Sequence, residues 1–258
     1  MKSISVIKIG GNVISDPAKL AMAVSSFSKL GGPKILVHGG GSEASKLAEE
    51  MGVKVNMVEG RRITDKDMIR IVTMVYAGSI SKRITALLQA KSMNGLGLSG
   101  ADGNTILSVK RPVGEIDYGH VGDVVNVNGV AIVNLLKAGF VPIFCALTHD
   151  GAGNLLNTNA DTIAAEIAKE LSKSYEVSLS FTFELAGVLE DVNDPSSLLT
   201  KITKSDFEKM KSDGSISRGM IPKVHNALEA SGGGVSKVYI CNYSGMDEPQ
   251  KGSEICAN

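Results

Sequence analysis

The first 41 residues carry the same local event twice: a short apolar run that breaks off in consecutive glycines. Ile4-Ser5-Val6-Ile7-Lys8-Ile9 meets Gly10-Gly11, and Lys34-Ile35-Leu36-Val37-His38 meets Gly39-Gly40-Gly41. Runs so short and so rich in β-branched residues read as buried strands, and the pattern after each is helical. A strand–helix–strand repeat favours parallel pairing, which confines the chain to α/β architectures. Ligands of open α/β sheets lie beyond the carboxyl ends of the strands, where these glycines sit. Glycine leaves backbone N–H groups uncovered and Lys8 adds a cation, so the turns suit phosphate. A nucleotide is the expected class of ligand.

At 258 residues, 43% of them apolar, the chain can build one large α/β unit or two lobes on a shared sheet. The 29 glycines against 7 prolines point to tight turns rather than disorder. Lys plus Arg and Asp plus Glu each number 27, and this balance argues against a nucleic-acid partner, which calls for a basic excess. Cys145, Cys241 and Cys256 have neither metal-ligand spacing nor the even count of a disulfide framework. The apolar stretch from Val130 to Leu147 is interrupted by Asn134, Lys137, Gly139 and Pro142, so it reads as a helix and a strand, with no membrane span. The chain opens in a strand without a signal-peptide pattern, and a cytoplasmic soluble protein is expected.

Along the chain, Asp16-Pro17 caps a helix lined by Leu20, Val24, Phe27 and Leu30, which Gly31-Gly32 ends. Ser42 is the expected cap of a second helix. Asp65 caps a longer one with Ile69, Val72, Tyr76, Ile80 and Leu87 on its apolar side. Residues 104–127 alternate around turn signals and read as antiparallel hairpins. Helix 129–136, strand 141–147, helix 161–171 and strand 177–183 resume the alternation. Helices near 204–211 and 221–230 and a strand at 237–241 follow, and the polar tail from Ser244 is expected to fray. The expected fold is a three-layer αβα sandwich around an open, mainly parallel sheet with antiparallel hairpins. Its lobes are expected at 1–173 and 174–258.

No Gly-x-x-x-x-Gly-Lys-Ser/Thr occurs, which removes the usual P-loop. Gly95, Gly97 and Gly100 match Gly-x-Gly-x-x-Gly, but a helical pattern precedes them and a turn follows, the reverse of a dinucleotide site. Asn157-Thr158-Asn159-Ala160-Asp161 holds more polar groups than a helix cap needs. Its amides suit a ligand with carboxylate and amide groups, and Asp161 could hold a lysine. Lys223, beside Pro222 in a first helical turn, is either a solvated lysine or the neighbour of a strong anion. Arg61 and Arg62 are either surface charges or a fork for a carboxylate. His38, His120, His149 and His225 are dispersed and form no metal or triad pattern.

Taken in order, six segments resemble the amino acid kinase family: Lys8–Gly11, His38–Gly41, Gly60–Thr64, Gly119–Gly122, Asn157–Asp161 and Gly219–Lys223. The arginine, Asn-x-Asn-Ala-Asp and Gly-Met-Ile-Pro-Lys segments are similar to its acylglutamate branch. The resemblance implies ATP-dependent phosphorylation of the side-chain carboxylate of an N-acylglutamate, with N-acetyl as first choice. N-succinyl is the alternative acyl group, and a non-catalytic acylamino-acid sensor is a further one.

By the same resemblance Lys8 and Lys223 neutralise the transferring phosphoryl group and Asp161 orients them. Gly10 and Gly11 serve the nucleotide. Gly40 and Gly41 donate N–H bonds, Arg62 grips the α-carboxylate, and Asn157 and Asn159 meet the acylamino end. Glu184 and Gly187 stand near the nucleotide, where relatives carry Asp-Val-x-Gly-Val and this chain has Glu184-Leu185-Ala186-Gly187-Val188. ATP is expected with magnesium on its phosphates and no protein metal ligands. A homodimer that arginine does not inhibit is also implied. A glutamate side chain, with an unperturbed pKa of about 4.3, is ionised at neutral pH, so the reaction needs no general base.

Overall fold

The computed structural model describes residues 3–58, 61–216 and 220–257; Gly60 and Gly219 of the motifs above lie outside them. In chain order the elements are β1 Ser3–Ile9, α1 Gly11–Ser15, α2 Pro17–Lys29, β2 Lys34–His38, α3 Gly41–Glu50, β3 Met57–Val58 and β4 Arg61–Arg62. There follow α4 Lys66–Thr73, a π-helical segment Met74–Ile80, α5 Ser81–Gln89, β5 Gly95–Leu98, β6 Ile106–Lys110, β7 Gly122–Val127 and α6 Gly129–Lys137. Next are β8 Val141–Cys145, β9 Leu147–His149, β10 Leu155–Asn157, α7 Ala160–Ser172, β11 Glu176–Phe183 and β12 Lys201–Thr203. The chain closes with α8 Lys204–Asp213, α9 Ile221–Gly232, β13 Lys237–Asn242 and β14 Ser253–Cys256. The α/β class expected from the sequence is what forms, with both parallel and antiparallel pairing. Two compact units result, Met1–Leu36 with Ala164–Asn258, and Val37–Ile163.

In the first unit the strands run in the order β12-β14-β13-β11-β1, with β2 next. β1 pairs with β11 in parallel, Lys8 opposite Phe181, and β11 with β13 in parallel. The chain leaves β1 through α2 toward β2, whereas from β11 it returns at β13 on the other side. The carboxyl ends of β1 and β11 are therefore a topological switch point, the crevice where α/β sheets bind ligands. Helix α2 forms where expected: Asp16 accepts from the amides of Ala18 and Lys19, Pro17 opens the first turn, and Leu20, Val24 and Phe27 are buried. Each such burial contributes about 1.5–3 kcal/mol.

The tail does not fray. Beyond Ser244, Met246 is buried and β14 pairs antiparallel with β13 and parallel with β12. Its strand is only four residues long, Ser253–Cys256, too short for alternation to reveal it among polar neighbours.

The second unit holds the parallel pair β8–β5, a four-stranded sheet β10-β9-β6-β7 and the hairpin β3–β4. The expected hairpins at 104–127 are the antiparallel pair β6–β7, with a register shift between Leu107 and Ser108. The expected strand 141–147 divides at Ala146, since β9 turns away to pair with β10. Helix α3 starts at Gly41 with Gly40 as its cap, so Ser42 lies inside the first turn.

Residues Lys66–Gln89 form one helical run, 24 residues long and apolar enough by composition to cross a membrane. Its apolar stripe is core instead: Met68, Ile71, Val72, Val75, Tyr76, Ile80, Ile84 and Leu88 are buried. The π-helical turns insert extra backbone, which moves the stripe from the expected Ile69 and Leu87 to Met68 and Leu88.

Candidate active site

In the second unit the triple glycine bends the chain from β2 into α3. His38 is buried; its Nδ1 donates to the Gly39 carbonyl at 2.8 Å and its Nε2 lies 3.4 Å from Ser81 Oγ. Burial, aided by the Arg83 charge and opposed by the Gly39 bond, lowers its pKa to about 4. It is a neutral post under the turn. Gly40 has φ +155°, and a Cβ there would stand 2.2 Å from Ile80 Cδ1 and 2.9 Å from Tyr76 Cδ1. The π-helical segment thus occupies the space a side chain would need, and only glycine fits.

Arg62 in β4 reaches this turn. It is 8% exposed, and its Nη2 donates to the Gly41 carbonyl at 2.8 Å and to Ser45 Oγ at 2.7 Å. Nη1 approaches Met68 Sδ at 3.9 Å, and the Tyr76 hydroxyl is a further neighbour. Among the described residues no carboxylate pairs with it. A buried guanidinium surrounded by neutral dipoles is incompletely compensated, and an anion is the kind of group that could complete it.

Two residues on, buried Thr64 donates Oγ1–H to the Arg62 carbonyl at 3.2 Å and accepts from Asn157 Nδ2 at 3.0 Å. One N–H of Asn157 Nδ2 is thereby committed, which fixes the amide orientation and leaves the amide oxygen able to accept from a ligand N–H. Gly119–Gly122 ties these residues together. Gly119 bridges to Thr64, His120 N–H donates to the Thr64 carbonyl at 2.6 Å, and Asn157 N–H donates to the His120 carbonyl at 2.8 Å. A Cβ on Gly119, whose φ is +72°, would meet the Thr64 carbonyl oxygen at 2.3 Å. Asn159 Oδ1 accepts from the amides of Asp161 and Thr162 at 2.7 and 3.1 Å and caps α7, whose first turn holds buried Asp161. The polar segment therefore combines a helix cap, Asn159, with the half-buried and oriented amide of Asn157.

In the first unit the switch point carries Lys8, 8% exposed near the end of β1, with its carbonyl accepting from Thr182 Oγ1 at 3.0 Å. Gly10 N–H donates to the Thr182 carbonyl at 3.0 Å, and Gly11 is the first residue of α1. Glu184, just past β11, pairs with Lys19 and accepts from Asn12 Nδ2 at 3.1 Å; these bonds hold its carboxyl below the usual range. The loop beyond it encloses a cavity of about 320 Å³ lined by Leu185, Gly187, Val188, Asp191, Ile216 and Met220, among others. Met220 precedes α9, with Pro222 and Lys223 in its first turn. A Cβ on Gly187 would lie 2.6 Å from Ser253 Oγ, so the strand from the tail fixes this loop.

Residues 3–242 match the model of the amino acid kinase family. The chain belongs to the amino acid kinase family. Among its relatives, the acetylglutamate kinase of Bacteroides thetaiotaomicron is 50% identical over 93% of both chains, and that of Parabacteroides distasonis is 46% identical over 99% of this chain and 100% of its own. Of solved structures, smu.665 of Streptococcus mutans superposes with a TM-score of 0.82 at 28% identity over the whole of both chains. The carbamate kinase of Giardia lamblia bound to AMP-PNP shares the fold of this family member, with TM-score 0.68 at 14% identity over 100% of this chain and 99% of its own. Thr64, Ser45 and Tyr76 were not named as site residues from the sequence. Their signal was faint: a hydroxyl next to an arginine motif, and an aromatic on a core stripe.

Proposed function

We propose that this chain phosphorylates the side-chain carboxylate of N-acetyl-L-glutamate with ATP, giving the acyl phosphate used in arginine biosynthesis. The observation that carries the reading is Arg62, a buried cation compensated by neutral groups alone, with the oriented amide of Asn157 two hydrogen bonds away through Thr64. An α-carboxylate for the guanidinium and an acylamino N–H for the amide oxygen satisfy both. The relatives named acetylglutamate kinase support it, and so does the family resemblance of the six motifs.

In this reading Gly40, Gly41, Arg62, Asn157 and Asn159 hold the acylamino acid. Lys8 and Lys223 neutralise charge on the phosphoryl group, and Asp161 is the positioning carboxylate. Gly10, Gly11, Glu184 and Gly187 serve the nucleotide, whose base suits the apolar walls of the first-unit cavity. Residues 174–258 act as the nucleotide lobe and 1–173 as the acylglutamate lobe. Phosphoryl transfer is mainly positioning and charge neutralisation, which lysines and backbone amides supply. The acceptor is already an anion, so no side chain has to remove a proton. Magnesium would be carried on the ATP phosphates rather than by a protein cage. Magnesium there supplies further neutralisation of the developing charge. A cytoplasmic homodimer completes the reading.

ADP release measured with N-acetyl- and N-succinyl-L-glutamate side by side tests it. A higher kcat/KM for the acetyl compound is expected. A higher value for the succinyl compound reassigns the acyl group, and no ADP release above background with either removes the kinase reading.

A further inference from the structure

The π-helical segment Met74–Ile80 interrupts an otherwise regular helical run at the point where it faces the triple glycine. Such segments cost regular hydrogen bonding and recur at functional sites, so the position of Tyr76 inside it calls for a chemical reason. The ring is 5% exposed and packs where a Gly40 side chain would be. Burial raises the phenol pKa, against the charge and hydrogen bonding of Arg62, and the hydroxyl stays protonated at neutral pH. A guanidinium can only donate, so the phenol oxygen accepts from Arg62 and its own O–H is left to donate. Among the described residues no acceptor takes that proton.

The two polar tips converge. A Cβ built on Gly41 would lie 3.7 Å from Arg62 Nη2 and 3.9 Å from Tyr76 Oη, so both flank the first residue of α3. The opening turn of a helix leaves its amide N–H groups without intrahelical partners and carries partial positive charge. A cation, a neutral O–H donor and a helix start make an acceptor-rich, singly charged group the matching ligand.

We propose that Tyr76 is a specificity-determining residue, donating its O–H to the substrate α-carboxylate beside the Arg62 guanidinium. This rests on the reading of Arg62 as the α-carboxylate grip and extends it. Tyr76 makes the subsite discriminate a carboxylate, with its second acceptor oxygen, from an α-amide, whose NH₂ would confront the phenol proton. The ring fills the space over Gly40 whether or not the hydroxyl is present, so Tyr76→Phe isolates the donor.

The test compares wild type, Tyr76→Phe and Arg62→Ala with N-acetyl-L-glutamate and its α-amide, with melting temperature as a control for folding. In Tyr76→Phe the KM for the acid is expected to rise roughly tenfold, the size of a lost hydrogen bond to a charged group. Its kcat and KM for ATP should stay within about twofold, and its preference for acid over amide should fall by the same factor as the acid KM rises. An unchanged preference in Tyr76→Phe, alongside a collapsed one in Arg62→Ala, would overturn the role of Tyr76 and leave the arginine grip standing. An unchanged preference in Arg62→Ala would overturn the grip and this proposal together.

Discussion

Asn157 Nδ2 donates to Thr64 Oγ1 at 3.0 Å across 93 residues of sequence, and the same hydroxyl donates to the Arg62 carbonyl. One buried threonine therefore sets both the amide orientation of Asn157 and the backbone of the arginine that precedes it. Thr64→Val keeps the shape and deletes the relay, which frees the Asn157 amide to rotate. The KM for the acylamino acid should rise about 5- to 20-fold, the scale of one or two hydrogen bonds, with the KM for ATP unchanged. Steady-state kinetics with each substrate varied in turn checks this. A parallel rise in both constants would mean a general structural role.

Gly40→Ala should be among the most damaging single-methyl additions in the second unit. The new Cβ would meet Ile80 Cδ1 at 2.2 Å and carry φ +155°. Backbone strain and overpacking together cost roughly 2–5 kcal/mol, a fall in melting temperature of about 5–15 °C. Calorimetry measures it. Adding Ile80→Val should restore only part, because it relieves the contact with Ile80 and leaves both the contact with Tyr76 and the strained dihedral.

His38 gives stability a pH dependence whose sign follows from its depressed pKa. Folded, it titrates at about 4; unfolded, at its ordinary value of about 6.5. Between these values the unfolded chain binds a proton that the folded chain does not. Its contribution is complete above pH 6.5 and is lost as pH falls toward 4, by on the order of 3 kcal/mol. Denaturant unfolding from pH 7 to 4.5 should show a steeper loss for wild type than for His38→Gln. Equal slopes would place the titration elsewhere.

Lys8→Ala and Lys223→Ala should each lower kcat by about a hundredfold or more, the usual effect of deleting one group that stabilises transition-state charge. Circular dichroism and melting temperature should be nearly unchanged. If either variant unfolds along with its loss of turnover, the lysine holds the structure rather than the phosphoryl group.

Gly187→Ala separates the two substrates in the other direction. Its Cβ would press on Ser253 Oγ at 2.6 Å and Ser253 N at 2.9 Å, pushing the loop toward the cavity. A KM for ATP raised several-fold, with that for the acylamino acid unaltered, is expected from the same kinetic series.

Much of this was legible in the sequence because it depends on local pattern. Strand runs into glycine, the Asp16-Pro17 cap and the alternation of β6 and β7 are nearest-neighbour effects, and the structure keeps them. Three features were not local. The tail strand Ser253–Cys256 is held by β12 and β13, and its polar surroundings hide it. The π-helical turns follow from packing against Gly40, so a regular 3.6-residue period misplaced the stripe by one residue at both ends. Gly119 is required by the Thr64 carbonyl, 55 positions earlier, a contact that no sequence window contains. Arg62 could be nominated from its motif, but that its buried charge has only neutral company emerges from the fold alone.

The most direct measurement of the central claim is trapping of the product with hydroxylamine. An acyl phosphate on the side-chain carboxylate converts to the γ-hydroxamate, which mass spectrometry distinguishes from the α isomer. With ATP, magnesium and N-acetyl-L-glutamate, the account requires γ-hydroxamate formed in step with ADP, and none without ATP. Absence of hydroxamate from both the N-acetyl and N-succinyl substrates, with the protein folded, would contradict it.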